Sequence, residues 1–271
     1  MTQSGSVILA WLDGASDAAR EARRDSDAAE ALHRFRVDVR RLNVCLKAAR
    51  HRDGVPGKLR RRLRRALRAT GPLRDGHIRT LWLSEHARDS GSRDRGASAL
   101  ARALRRHGDA AAPRPRRWRK VERTLARIRR ALEDSPRRRE AARAARTTAA
   151  EKSWRRLARK LLRLETNRDS AALHAARIAV KTLRYLLESL RSVPDGLPSP
   201  SALRGLQSAL GEAHDRDVIA ADVEGALSDA VLRPAARRAL RKLKREKGSR
   251  LSCARKYWQP LLKRWDGRVH S

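Results

Sequence analysis

Two stretches of the 271-residue chain carry the same arrangement of a histidine and cations. The first reads Leu32-His33-Arg34-Phe35-Arg36-Val37-Asp38-Val39-Arg40-Arg41-Leu42. The second reads Leu173-His174-Ala175-Ala176-Arg177-Ile178-Ala179-Val180-Lys181-Thr182-Leu183. On a helix, positions three and seven residues after a histidine lie on its side of the cylinder. His33, Arg36 and Arg40 therefore form one stripe, and His174, Arg177 and Lys181 form another. The chemistry open to such a stripe is anion binding. Guanidinium groups meet phosphate oxygens in bidentate fashion, and an imidazole donates one hydrogen bond when neutral and two when protonated. A chain that builds this stripe twice is expected to make one two-sided site for a strongly anionic ligand.

A second signal repeats at nearly the same separation. Gly71-Pro72-Leu73-Arg74-Asp75-Gly76-His77-Ile78 follows the first stripe, and Gly211-Glu212-Ala213-His214-Asp215-Arg216-Asp217-Val218 follows the second. Arg74 and His214 take the same place, and an internal duplication explains the pair of pairs. Asp75 and Asp215 each follow a glycine that can end a helix, so both are expected to cap the next helix.

A helical wheel sharpens the stripes. Leu32, Phe35, Val39, Leu42 and Leu46 form an apolar face, with His33, Arg36, Arg40 and Lys47 beside it and Val37 and Val44 beyond. In the second copy His174, Arg177, Lys181, Arg184 and Arg191 share a side with Glu188, and the rest of the helix is small or apolar. Cations flanked by apolar residues on both sides point to a basic groove between packed helices. Enclosed cations need carboxylates or an external anion, and Glu188 balances only part of the charge. Arg64 and Arg204 occupy matching places in the following helices and are added to the candidate site. Arg34 and Arg41 are expected to face outward, and the runs at 114–123 and 237–245 to be auxiliary basic surface.

These residues must be positioned by helices. The chain is rich in Ala, Leu and Arg, which are strong helix formers, and it has no convincing alternating strand. Ile8, Trp11, Ala15 and Ala18 sit at helical spacing, as do Trp154, Leu157, Leu161 and Leu164. Breaks are expected near 53–57, 91–96, 113–115, 136 and 193–200. The expected fold class is all-α: two helical bundles, 1–130 and 131–271, related by duplication around a basic central cavity.

Composition narrows the ligand. There are 66 Lys and Arg against 30 Asp and Glu, a formal charge of +36, and 40% hydrophobic residues. That charge speaks to polyanionic partners rather than to fold, and the apolar share is enough for a packed core. Aromatic residues make up only 3%, too few for a base-stacking platform. Cys45 and Cys253 offer neither metal-ligand spacing nor a disulfide framework. No secretory leader and no bilayer-length apolar run is seen, so a cytoplasmic location without a membrane partner is expected.

The sequence resembles the CHAD domain, the conserved histidine α-helical domain, over almost the whole chain. The carrying pieces are Leu-His-x-x-Arg-Ile-Ala-Val-Lys-x-Leu-Arg-Tyr at 173–185 and Leu-Gln-Ser-Ala-Leu-Gly with the following His-Asp-x-Asp-Val at 206–218. The resemblance implies two pseudo-twofold helical bundles and a basic cavity that binds inorganic polyphosphate, with association with polyphosphate granules. It implies that His33, Arg36, Arg40, His174, Arg177, Lys181 and Arg184 line that cavity. Two positions depart from the family pattern: Asn43 stands where an arginine is common, and Gly76-His77 replaces the more usual pair.

Two other functions compete. Charge alone supports a nucleic-acid binder, and weak nonspecific nucleic-acid binding is expected in any case, but no recognition motif of the usual kinds is present. His174, His214-Asp215 and Asp222 suggest a metal-dependent phosphohydrolase. The repeat argues against this, because His214 aligns with Arg74 and an arginine cannot ligate a metal. Neither a Glu-x-Glu-x-Lys signature nor a Gly-rich phosphate loop with its lysine occurs. The expectation is a non-catalytic binder with no cofactor and no metal.

Overall fold

Helix-forming composition and amphipathic spacing produce helices throughout. The computed structural model describes residues 4–25, 29–49, 52–89, 95–107, 115–133 and 136–269. Its elements are α1 (Ser4–Arg24), α2 (Ala29–Ala49), α3 (Gly57–Ala69), α4 (Gly71–Asp89), α5 (Arg95–His107), α6 (Pro115–Glu133), α7 (Pro136–Thr166), α8 (Ser170–Glu188), α9 (Pro200–Glu224), a 3₁₀ turn (Gly225–Ser228) and α10 (Arg233–Val269). No strand occurs among the described residues. Three helices, α6, α7 and α9, open at a proline, whose fixed φ and missing N–H suit the first helical position. Of the expected breaks, 91–94 and 113–114 lie outside the described residues.

Caps arise where they were not expected. Gly71 opens α4, and Gly211 lies inside α9, so Asp75 and Asp215 stand inside helices and not at their starts. Buried Ala209, Leu210 and Ala213 hold α9 together through Gly211, offsetting the ~1 kcal/mol that a glycine costs a helix interior. Caps among the described residues include Asp169, whose Oδ1 accepts from Ala172 N at 2.5 Å before α8, Ser199, whose Oγ accepts from Ala202 N at 3.2 Å before α9, and Asp229, whose Oδ1 accepts from Val231 N at 2.8 Å before α10. Gly54, at φ 72°, makes the turn before α3. There Asp53 accepts from Val55 N at 3.0 Å and lies 3.5 Å from Arg60.

The described residues form two compact units. The first takes residues within 1–71, 112–159 and 178–204; the second takes 72–111, 160–177 and 205–271. This division differs from the expected halves, 1–130 and 131–271, and α7, α8 and α9 each start in one unit and finish in the other.

In the first unit, Leu32, Phe35, Val39, Leu42 and Leu46 are all buried, as are Ile8, Trp11, Ala15 and Ala18 of α1. Each large side chain of this kind contributes roughly 1.5–3 kcal/mol by leaving water. Phe35 of α2 meets Trp118 of α6 edge to face, with centroids 5.0 Å apart. In the second unit a core of Trp82, Leu83, Leu100, Ile219, Val223 and Leu243 joins α4, α5, α9 and α10.

The two cysteines differ sharply. Cys253 is partly exposed, whereas Cys45 is buried, with its thiol 3.7 Å from Tyr185 O. Burial pushes the Cys45 thiol up from its ordinary 9.0 to about 11. One thiol is therefore expected to react with a disulfide reagent in the native protein and two after denaturation. Two fast-reacting thiols in the native protein would contradict this burial. The unfolded thiol loses its proton from pH 9.0 while the folded one keeps it to about 11. The folded state then binds more protons, so this group lowers stability as pH rises through that window.

Candidate functional site

The histidine helices present their charges in like register. His33 is the fifth residue of α2, and His174 is the fifth residue of α8. In the first unit the α2 stripe divides into residues with different surroundings. Arg36 is 5% exposed, and its Nη1 donates to Leu67 O at 2.9 Å and Thr70 Oγ1 at 2.8 Å. It satisfies a carbonyl near the C-terminal end of α3, where backbone acceptors lack helical partners. Arg36 is thus an architectural residue first. Arg40 is half-buried and has no ion-pair partner among the described residues, and His33 is half-buried. Lys47, Arg64 and Arg204 are exposed.

The same unit corrects the reading of Arg41. Arg41 is enclosed, not outward-facing: its side chain is 23% exposed, its Nη1 donates to Asp38 Oδ1 at 3.1 Å, and its Nε lies 3.3 Å from Glu188 Oε2. Its guanidinium also lies 5.5 Å from the Trp11 ring and 5.8 Å from the Tyr185 ring. Arg184 Nε donates to the other oxygen of Glu188 at 2.8 Å, and its guanidinium lies 5.7 Å from the Tyr185 ring. Glu188 therefore holds two arginines, one from α2 and one from α8. Burial raises the Asp38 carboxyl above its ordinary value against the pull of Arg41, and burial likewise raises the Tyr185 hydroxyl. Gly14 makes room for Asp38, since a Cβ there would stand 2.5 Å from Asp38 Oδ2. Lys181 is half-buried, and Arg191 falls beyond the end of α8 and is exposed. Arg34 is exposed and pairs with Glu21.

The second unit holds Arg74, His174, Arg177 and His214. The rings of His174 and His214 come together, with centroids 5.0 Å apart and planes at 52°. His174 is exposed, while Arg74, Arg177 and His214 are half-buried. Residues after His214 fasten α9. Lys247 Nζ donates to Asp217 Oδ1 at 2.6 Å and to Ser170 Oγ at 3.1 Å. Arg216 Nε and Trp82 Nε1 each donate to Glu246 Oε2 at 3.0 Å. The Asp217 clamp ties α9 to α10 and to the first residue of α8, one turn before His174. Asp222 accepts from Arg79 Nη1 at 2.8 Å. Among the described residues no group of three or more His, Cys, Asp or Glu could hold a metal ion.

Sequence reasoning missed Arg79, only 9% exposed, and Arg146, 6% exposed and lowered in pKa by burial. Asp38–Arg41 was legible as an i,i+3 pair.

The CHAD domain family model matches residues 7–221. The chain belongs to the CHAD domain family. Two solved structures share the fold. The CHAD domain from the plant Ricinus communis is 20% identical, with a TM-score of 0.63 over 95% of this chain and 89% of its own. PptA from Streptomyces chartreusis is 16% identical, with a TM-score of 0.64 over 94% and 98%. At these identities the likeness establishes the all-α CHAD fold. No curated protein matches. The matched CHAD span ends before α10, yet Glu246 and Lys247 of α10 fasten its His-Asp-x-Asp segment. No described helix is long and apolar enough to cross a membrane.

Proposed function

We propose that this CHAD protein binds inorganic polyphosphate without hydrolysing it, using the cations and histidines of both repeats. The observation that carries the proposal is the half-buried Arg40, an arginine beside a closed apolar face with no carboxylate partner among the described residues. Its neighbours Arg41 and Arg184 already take the two oxygens of Glu188. An external anion is the natural complement of the charge that remains, since an enclosed cation is costly unless paired. His174 and His214 add a second cluster of donors that binds oxyanions whether neutral or protonated. Polyphosphate carries about one charge per phosphate and has no bases, so the scarcity of aromatic residues is no handicap. Membership of the CHAD family supports the same ligand, and association with polyphosphate granules follows as a cellular consequence.

A graded-length binding series tests this. Long polyphosphate is expected to bind far more tightly than short chains and orthophosphate, with affinity falling steeply in salt, because many contacts add along one ligand and each releases counterions. Incubation with magnesium or manganese is expected to leave the polymer intact. Equal competition by duplex DNA of the same charge would remove the ligand assignment. Phosphate release that tracks purified protein and disappears in a His214→Ala variant would remove the non-catalytic one.

A further inference from the structure

Away from the histidine stripes, α3 and α6 of the first unit enclose a groove of about 560 Å³. Leu63, Ala66, Val121 and Thr124 form its apolar and small-residue lining, and the other lining residues are Arg62, Arg65, Arg117, Lys120, Arg123 and Arg127. Among the described residues the groove thus holds six cations and no carboxylate. All six are exposed, and none has an ion-pair partner among the described residues. Elsewhere many surface arginines do find one, as Arg20 finds Asp17, Arg143 finds Glu140 and Arg129 finds Asp13. Being two residues apart on a 3.6-residue turn, Arg62 and Arg64 point to opposite flanks of α3. The groove is therefore separate from the flank that carries Arg64.

We propose that this α3–α6 groove is a second polyphosphate-binding site. It rests on the polyphosphate reading above for the class of ligand, and on its own geometry for the place. Arg117, Lys120 and Arg127 run along one flank of α6 for ten residues, roughly 15 Å, facing Arg62 and Arg65 across the floor. Like charges placed three and four residues apart repel one another, so a linear anion laid between the rows removes that repulsion and gains charge-assisted hydrogen bonds. Among the described residues the lining contains no aromatic ring on which a base could stack. The groove can read a chain of phosphates and nothing attached to it. Engaging the groove together with Arg40 and Lys181 of the same unit lets one long chain bind at two places, which multiplies affinity without any new contact.

Calorimetric titration with short-chain polyphosphate tests the proposal on the full chain. The groove variant changes Arg62, Arg65, Lys120 and Arg127 to Gln. A surface control changes the exposed Lys152, Arg155, Arg156 and Arg159 of α7 to Gln, removing the same charge. A stripe variant carries Arg40→Ala, Lys181→Ala, His174→Ala and His214→Ala, which removes both clusters of the proposed site. The wild type and the surface control are expected to bind two short chains and the groove variant one. The chain still bound, together with unchanged circular dichroism, reports that the groove variant is folded. For long polyphosphate the groove variant is expected to lose about tenfold in affinity or more. A wild-type stoichiometry of one, two chains on the groove variant, or equal losses in groove and surface variants would overturn the second site. If the groove variant loses a chain while the stripe variant keeps both, the stripe reading fails and the groove stands. Displacement of the ligand from the stripe variant by duplex DNA at equal phosphate concentration would overturn polyphosphate as the groove's ligand.

Discussion

Replacing Arg40 and Lys181 together by alanine is expected to weaken binding of long polyphosphate by at least about a hundredfold at low salt. Each charge-assisted contact to a phosphate contributes roughly 1.5–3 kcal/mol, so two contacts sum to ~3–6 kcal/mol, or ~10²–10⁴ in affinity. The slope of log affinity against log salt should also fall by about two, one for each phosphate that the variant no longer neutralises. Arg36 is the obvious third member of the stripe and a poor reporter, because its guanidinium holds Leu67 O and Thr70 at the end of α3. Truncating it confounds binding with folding. Arg34 with Arg41 is an equally poor control, since Arg41 is enclosed between Asp38 and Glu188. Lys152→Ala with Arg156→Ala on the exposed face of α7 is the better one. It removes the same charge and is expected to cost less than about threefold, because exposed cations contribute mainly screened, diffuse attraction. Isothermal titration over a salt series reads both quantities. Equal losses in the two variants would mean that net charge alone holds the ligand.

Apolar periodicity carried most of the fold. The faces at Leu32 to Leu46 and Trp154 to Leu164 are buried as their spacing requires, since an amphipathic stripe has one low-energy orientation. The recurring His-x-x-Arg spacing also falls on like positions, with His33 and His174 each the fifth residue of its helix. What stayed illegible was which cation meets which acceptor. The wheel put Arg36 among ligand-facing residues, but it does not know that the open end of α3 lies within reach of its guanidinium. Arg41 and Arg34 are seven residues apart and read alike, yet only Arg41 meets a carboxylate from α8, a contact set by tertiary packing. Gly71 and Gly211 look equivalent in sequence, and only one lies at a helix boundary, because neighbouring burial overrides the local cost of glycine. The α3–α6 groove needs two helices at once; the sequence shows only two basic runs.

Glu188→Gln should separate the architectural from the binding role of these cations. Glu188 takes Arg184 at 2.8 Å and Arg41 at 3.3 Å, with all three side chains between 12% and 23% exposed. Removing one partner of a fully buried ion pair costs about 3–5 kcal/mol, mostly by stranding the other charge. Partial exposure reduces that here to ~2–3 kcal/mol, a fall of about 5–10 °C in the melting midpoint for a chain of this size. Gln keeps the shape and one acceptor, so the loss reports charge rather than packing. The two arginines so released lie beside Tyr185 and on the helices that carry Arg40 and Lys181. If that face binds polyphosphate, the polymer replaces the missing carboxylate. Saturating polyphosphate should then raise the midpoint of the variant by more than that of the wild type, through the free energy of binding to the folded state, and affinity at low salt should rise severalfold. Thermal scans with and without polymer measure this directly. An unchanged midpoint without polymer would show that Glu188 is not the counter-ion that holds α2 to α8. A lowered midpoint that polyphosphate restores no better than it stabilises the wild type would place Arg41 and Arg184 in the scaffold and leave Arg40 and Lys181 as the binding cations of this face.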